Sequence, residues 1–276
     1  MKFANLHLHS TYSDAPFTPE QLVRLGKALG YKALALTDHE TDGGVKEFME
    51  YAAKLEIDTI TGTEFYGSHG GMELHLTALN FDMDDPTLRA FIKERVELYS
   101  EYTRQCFLFG VNIGVIDGFT WDDVVRFNGE NTWLCIDSIL NTYRYLRLKV
   151  PESFREKIFK APETLVLKPK SPSAEQVIRV VRGADGVIAL AHPNNRTHFV
   201  PELVEMGLNG IETDHPNITE ETIRLAREAA ETFNLYRCGG TDHTGPMGGH
   251  DGKQARPTFD GVTEEEFYIL KERRLG

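Results

Sequence analysis

The chain has 276 residues, of which 41% are apolar and 26% are charged, enough to form the core of one or two globular domains. Its formal net charge of −12 argues against binding to long nucleic acid, which relies on clustered lysine and arginine. The three cysteines are dispersed and indicate neither a disulfide framework nor a thiolate zinc site, and no apolar stretch is long enough to span a membrane, so we expect a cytoplasmic protein.

Short apolar or alternating runs, typical of β-strands, follow one another along the chain with helix-start signals between them. The predicted strands are residues 4–9, 33–37, 59–63, 73–79, 186–191, 209–213 and 235–238. Helices are predicted to begin after Thr18, Ser173, Thr219 and Thr263, where a capping hydroxyl precedes acidic or amide residues. This alternation predicts an α/β fold with a parallel sheet, and we favour a closed barrel over an open sheet.

The segment 86–149 departs from this alternation. Its apolar residues recur at helical spacing, and Thr120 begins a second helix. We therefore expect a mainly helical insertion over residues 81–171, packed on a barrel formed by residues 1–80 and 172–276. Its aromatic residues should lie mostly in its core, with one or two free to stack on a base; they include Tyr99, Tyr102, Trp121, Trp133 and Tyr145.

Histidines and carboxylates fall on or just after the predicted strands. None of the ten histidines lies between residues 76 and 191. His7 and His9 are two apart on the first strand, so both rings should project from one face. The other candidates, in chain order, are Asp14, His39, Glu64, His75, His192, His215, Asp242 and His243. Because the carboxyl ends of parallel barrel strands open onto one rim, we expect these groups to converge there.

Each of these groups alone has an ordinary explanation, such as a core histidine pair or an aspartate that caps a helix. Their joint occurrence favours a metal site, because so many buried and unpaired imidazoles and carboxylates would be costly to desolvate. Imidazole and carboxylate ligands without thiolates suit zinc, manganese or iron. The ligands are too many for one ion, so we expect two or three divalent cations, with Glu64 and Asp242 able to bridge. A hydroxide held by such a cluster fits phosphoester cleavage best.

The candidate residues lie in a series of short motifs. In chain order these are His7-Leu8-His9-Ser10 with Ser13-Asp14, Leu36-Thr37-Asp38-His39, Gly62-Thr63-Glu64, Glu73-Leu74-His75-Leu76, Ala191-His192-Pro193 and Gly239-Gly240-Thr241-Asp242-His243. The ordered set resembles the polymerase and histidinol phosphatase (PHP) family of phosphoesterases over nearly the whole chain. The resemblance implies a distorted seven-stranded, TIM-like (β/α) barrel with a trinuclear metal site.

The resemblance also implies three ligand sets. The first is His7, His9, Glu64 and Asp242; the second is Glu64, His75 and His192; the third is Asp14, His39 and His243. Glu64, Asp242 and His243 are the predicted catalytic groups. The family spaces its last motif as Asp-x-His, whereas Asp242 and His243 are adjacent here. Adjacent strand residues point to opposite faces, so His243 can reach the site only if the chain has already turned.

The motif layout is most similar to the stand-alone branch with a helical insertion, which acts on nucleoside 3',5'-bisphosphates and related small substrates. The resemblance therefore implies a phosphatase or phosphodiesterase for a small phosphorylated metabolite, with a nucleotide preferred. The Gly-Arg-Pro-His stretch of that branch is replaced here by residues 132–136. Arg196, close to the Ala-His-Pro motif, is the predicted phosphate-binding arginine. His215 is a candidate for substrate binding, with a hydrogen-bonded role behind the ligands as the alternative.

Three other functions stay open. The chain could be a histidinol-phosphate-type phosphatase, a non-catalytic metal-binding PHP module, or a metal-dependent amide or lactone hydrolase with a similar rim cluster. The sequence gives no indication of the oligomeric state.

Overall fold

The computed structural model describes residues 3–129, 133–242 and 261–275. Eight strands form two sheets in these ranges, with the orders β1-β2-β3 and β4-β5-β6-β7-β8. The strands are β1 (Ala4–Asn5), β2 (Ala33–Leu34), β3 (Asp58–Thr59), β4 (Gly62–His69), β5 (Met72–Leu79), β6 (Val187–Leu190), β7 (Gly210–Asp214) and β8 (Tyr236–Gly239). Helices lie between most of the strands, which confirms the predicted α/β fold.

Backbone hydrogen bonds link the two sheets on both sides. Beyond β1, the Leu6 amide donates to the Gly239 carbonyl of β8 over 3.0 Å, and the Asp242 amide donates to the His7 carbonyl over 2.8 Å. Beyond β2, the Glu40 amide donates to the Glu64 carbonyl of β4 over 2.8 Å. The segments that carry His7 and Glu40 therefore lie directly against strands of the second sheet.

The expectation of a wholly parallel sheet is wrong. β4 and β5 form an antiparallel hairpin, and β5 is also antiparallel to β6. Gly70 and Gly71 connect the hairpin with φ angles of 56° and 76°, a left-handed backbone that glycine adopts without a steric penalty. The predicted strand 59–63 is correspondingly divided between β3 and the start of β4, and the predicted strand 4–9 is reduced to the two residues of β1.

Capping side chains begin the helices that flank the sheets. The hydroxyls of Thr18, Ser173, Thr219 and Thr263 each accept a hydrogen bond from an amide in the first turn, so the predicted helix starts are confirmed. The helices outside the segment 81–171 are α1 (Pro19–Ala28), α2 (Val45–Lys54), α8 (Ala174–Gly183), the 3-10 helix Asn194–Phe199, α9 (Val200–Glu205), α10 (Glu220–Thr232) and α11 (Glu264–Lys271). Among the described residues, no helix combines the length and the apolar character needed to cross a membrane.

Five consecutive helices occupy the segment predicted as an insertion. They are α3 (Pro86–Asn112), α4 (Trp121–Asn128), α5 (Ile136–Tyr145), α6 (Phe154–Ile158) and α7 (Pro162–Leu165). Leu88 and Phe91, near the start of α3, join the large apolar cluster that covers β5, β6 and β7. Farther along α3, Cys106 and Phe107 belong to a separate apolar cluster with α4, α5 and α6. One long helix thus ties a small helical core to the sheets.

Candidate metal centre

His7 and His9 lie on the chain just after β1, where the side chains still alternate although the regular strand has ended. Leu6 and Leu8 pack into two different apolar clusters, while both histidines are buried on the opposite side. The Nε2 atoms of the two rings are 3.1 Å apart. The local backbone therefore delivers two imidazole nitrogens to the same point.

Glu64 on β4 stands at the centre of the cluster. Its neighbours along β4 and β5 alternate, so that Phe65 and Leu76 face the apolar cluster while Glu64 and His75 share the other face. Five imidazoles surround its carboxylate. His75 Nδ1, His192 Nε2 and His7 Nε2 lie 3.2, 3.2 and 3.4 Å from Oε1, and His39 Nδ1 and His9 Nε2 lie 3.1 and 3.3 Å from Oε2.

Two aspartates lie at the edge of this arrangement. Asp242 Oδ1 is 3.2 Å from His9 Nε2 and 3.6 Å from His7 Nε2. Asp14 approaches His9 Nδ1 and His39 Nε2, each at 3.8 Å. The φ angle of Asp242 is 56°, so the chain leaves the extended conformation at this residue. His243, the predicted neighbour in the third ligand set, lies outside the described residues.

The donor set fits divalent cations of the borderline class. Among the described residues, four groups of three side chains each bring ligand atoms within 4.8 Å of one another. The groups are His7, His9 and Asp242; His9, His39 and Glu64; Glu64, His75 and His192; and His7, Glu212 and His215. One carboxylate cannot accept well-directed hydrogen bonds from five imidazoles. Cations between these atoms, in contrast, could bind the lone pairs of the imidazole nitrogens and of the carboxylate oxygens together.

The charges of the cluster reinforce one another. Burial alone would raise the pKa of Glu64, but the charges of His7, His75 and His39 outweigh it and hold that pKa well below its usual value. Burial likewise lowers the pKa of His9, yet hydrogen bonds with Asp242 and Glu64 raise it to about 10. The cluster is therefore a buried group of imidazoles and carboxylates that attracts positive charge, whether as protons or as metal ions.

Two buried carboxylates support the cluster and were not predicted as site residues. Asp38 accepts hydrogen bonds from the Ser10 amide, the Ser10 hydroxyl and the Ser13 hydroxyl at 2.7, 2.6 and 2.5 Å, which orders the loop that carries Asp14. Glu212 on β7 contacts His7 at 2.6 Å. The sequence signal for Glu212 was a glutamate inside a predicted strand. Its partner His7 lies 205 residues away, too far along the chain to be inferred.

The two predicted substrate residues lie in different environments. His215 Nε2 is 3.2 Å from Asp242 Oδ2, and its Nδ1 accepts a hydrogen bond from the Asn217 amide over 3.1 Å. His215 therefore contacts Asp242 through the oxygen that does not face His9. Arg196, in the 3-10 helix, donates from Nε to the Glu73 carbonyl over 3.1 Å. Glu73 is two residues from His75, whose side chain is 27% exposed and marks the open side of the cluster.

Aromatic side chains from β4 and the insertion form one wall. The Tyr66 ring stacks on His39 with centroids 4.8 Å apart, and the Trp133 ring lies 5.6 Å from His39. Tyr99 on α3 is 5.2 Å from Trp133. Trp121, in contrast, packs against Phe107 inside the insertion. Of the aromatic residues predicted in the insertion, Trp133 is therefore the one placed directly against a candidate ligand.

Three proteins of known activity are similar to this chain over most of its length. Phosphoribosyl 1,2-cyclic phosphate 1,2-diphosphodiesterase of Eggerthella lenta is 27% identical, with 88% of this chain and 95% of that protein covered. A 5'-3' exoribonuclease of Haemophilus influenzae is 26% identical (88% and 90% covered), and a 3',5'-nucleoside bisphosphate phosphatase of Chromobacterium violaceum is 27% identical (90% and 89%).

A solved structure shares the fold. The crystal structure of a candidate metal-dependent phosphoesterase from Bifidobacterium adolescentis superposes with a TM-score of 0.80 at 22% identity, covering 99% of this chain and 96% of that one. The model of the PHP domain matches residues 5–158, which include His7, His9, Asp14, His39, Glu64 and His75. With more than half of its length matched by that model, the chain belongs to the PHP domain family.

Proposed function

We propose that this PHP-family enzyme, a metal-dependent phosphoesterase, hydrolyses a small phosphorylated metabolite, with a nucleotide as the preferred class. The observation that carries the proposal is the arrangement of five imidazoles at 3.1–3.4 Å from one buried carboxylate, that of Glu64. The bisphosphate phosphatase and the cyclic phosphate diesterase among its relatives act on small phosphorylated molecules, which supports the substrate class.

Two or three divalent ions, of zinc, manganese or iron, are proposed to bind in the cluster. His7, His9, Glu64 and Asp242 would hold the first, and Glu64, His75 and His192 the second. Asp14 and His39, with His243, would hold the third. Such cations supply Lewis acidity toward phosphate oxygens and neutralise the negative charge of the substrate. We further propose that the two linked sheets belong to one distorted seven-stranded barrel, in which β3 and β4 count as one interrupted strand and on which residues 81–171 form the helical insertion.

The residues around the cluster would select and orient the substrate. Arg196 uses Nε for the Glu73 carbonyl, which leaves its terminal nitrogens to bind a phosphate oxygen on the open side. On the other side, Tyr66 and Trp133 pack against His39 and would limit the access of a substrate to the cluster. A short, anionic substrate that enters beside His75 and Arg196 fits this geometry better than a long polymer does.

Metal-stimulated phosphate release tests the proposal. We expect the purified protein to release phosphate from phosphorylated metabolites, nucleoside bisphosphates among them, when manganese or zinc is supplied. His9→Ala and Asp242→Asn should reduce the rate by at least about 100-fold, because each removes a proposed ligand. His69→Ala is the matched control, since His69 lies on the same strand as Glu64 but pairs with Glu202.

Three outcomes would contradict the proposal. Full activity of the metal-free protein would show that the cluster does not act through cations. Tight metal binding without turnover of any phosphoester would favour the non-catalytic module, and turnover of cyclic amides or lactones instead would favour the third alternative. Histidinol phosphate in the same panel distinguishes the histidinol-phosphate-type activity.

A further inference from the structure

Glu212 is a fully buried carboxylate in the middle of β7. Its neighbour Ile211 faces the apolar cluster under the helices, while Glu212 points to the opposite side of the strand. A carboxylate without exposure to solvent must be paired, because an isolated buried charge is strongly unfavourable. Its two oxygens therefore identify the groups that this position serves.

Each oxygen of Glu212 holds a different candidate ligand. Oε1 lies 2.6 Å from His7 Nδ1, and Oε2 accepts the backbone amide of His192 over 2.5 Å. His7 is 205 residues away along the chain and His192 is 20 residues away. One carboxylate thus joins two segments that meet only in the folded protein.

The contact with His7 determines how its ring is used. An ionised carboxylate only accepts hydrogen bonds, so Nδ1 of His7 must carry the proton. In the neutral form of the ring, the form that binds metal, the lone pair is then on Nε2, the atom that lies 3.4 Å from Glu64 Oε1 and 3.1 Å from His9 Nε2. A histidine ligand whose second nitrogen donates to a carboxylate is held in orientation and is a stronger base toward a metal.

The contact with His192 acts on the backbone. The φ angle of His192 is 25°, in the left-handed region that residues with a side chain rarely adopt. A charge-assisted hydrogen bond to the amide stabilises this conformation. The side chain of His192 then reaches Glu64, with Nε2 at 3.2 Å from Oε1.

We propose that Glu212 is a positioning residue that holds His7 with its proton on Nδ1 and fixes the backbone of His192, so that both rings present Nε2 to the bound cations. This inference rests on the proposed function. The competing arrangement is a further cation held by His7 Nδ1, Glu212 and His215, whose ligand atoms are also close together. It is disfavoured because the Asn217 amide, which can only donate, occupies the lone pair on Nδ1 of His215, so that Nε2 carries the proton and faces Asp242.

The glutamine variant tests whether Glu212 supports metal binding. Glu212→Gln keeps the size of the side chain but replaces one acceptor by a donor, so either His7 or the His192 amide loses its partner. Calorimetric titration of zinc into the metal-free protein should show an affinity about 10- to 100-fold lower than that of the unmodified protein. Glu202→Gln is the control, because it removes a carboxylate–histidine contact of the same 2.6 Å length at His69.

A measurement on the unmodified protein keeps the inference testable if the variant does not fold. In the zinc-loaded, 15N-histidine-labelled protein, NMR should show Nδ1 of His7 protonated and Nε2 metal-bound, with the resonances assigned through the His7→Gln variant. Zinc bound to Nδ1 would overturn the inference, as would equal zinc affinities of the Glu212→Gln and unmodified proteins. Absence of metal binding by the unmodified protein would overturn both this inference and the proposed function.

Discussion

At the scale of single residues, protons compete with the proposed metal ions for the imidazole nitrogens of the cluster. Burial lowers the pKa of His7, but the charges of Glu212, Glu64 and Asp242 raise it well above its ordinary value. The pKa of His75 is raised in the same way, against the effect of burial, by the charge of Glu64. The raised pKa values favour protonated rings in the metal-free protein, so a bound cation must displace protons.

Metal binding should accordingly release protons. Calorimetry at about pH 7, in buffers of different ionisation enthalpy, is expected to show at least one proton released per protein, and the apparent affinity should rise with pH. The stability of the metal-free protein has the opposite pH dependence, because its free energy of unfolding falls as the pH rises. A raised histidine pKa contributes stability that is complete below about pH 6.5 and is lost as the pH rises through about 10, the pKa of His9. A metal affinity independent of pH would contradict this expectation.

Sequence alone could identify most of these side chains but not their partners. His7 and His9 were predictable because alternate positions of an extended chain share a face. Glu212 and Asp38 were not, because a carboxylate in or after a strand has the same local pattern whether it faces solvent, a metal or a histidine. Only the fold shows that His7 is within 2.6 Å of Glu212.

At the scale of secondary structure elements, a buried ion pair connects α3 to the candidate metal centre. Arg95 on α3 donates from Nε to Glu40 Oε2 over 2.7 Å, and the other oxygen of Glu40 accepts the Tyr66 amide over 2.8 Å. Glu40 follows His39 directly, with a φ angle of 58°. The helix, the His39 loop and β4 are therefore joined at one carboxylate.

Loss of Arg95 should be costly, because it leaves Glu40 buried without its counter-charge. We expect Arg95→Ala to lower the free energy of unfolding by about 3–5 kcal/mol in urea denaturation. Arg89→Ala on the same helix is the control, since its contact with Asp84 spans 3.8 Å between exposed side chains, and it should change stability by less than about 0.5 kcal/mol. Similar losses for both variants would argue against the buried pair as the connection.

The elements themselves were predictable to different degrees. Helix starts were confirmed because a hydroxyl cap is a local signal, as at Thr18 and Thr263. Strand direction was not predictable, because an alternating run reads the same in either orientation. Gly70 and Gly71 are the local sequence signal of the β4–β5 hairpin, and this hairpin places His75 opposite Tyr66.

At the scale of the whole molecule, family membership defines the chemistry more closely than the substrate. Three relatives between 26% and 27% identical carry three different activities, on a cyclic phosphate, on RNA and on a nucleoside bisphosphate. The net charge of −12 disfavours extended contact with a nucleic acid backbone, and the Trp133 ring packs against His39 at one side of the cluster. Substrate choice would therefore depend on the residues around the centre, Arg196 and the aromatic wall among them.

The position of bound cations tests the central claim most directly. In crystals grown with zinc, anomalous difference maps on either side of the zinc absorption edge should show at least two peaks, each at about 2.0–2.2 Å from histidine nitrogens or carboxylate oxygens of the cluster. One peak should lie between Glu64, His75 and His192, and another beside His7, His9 and Asp242. Peaks only at surface sites, with none next to Glu64, would contradict a metal centre built from these distant segments.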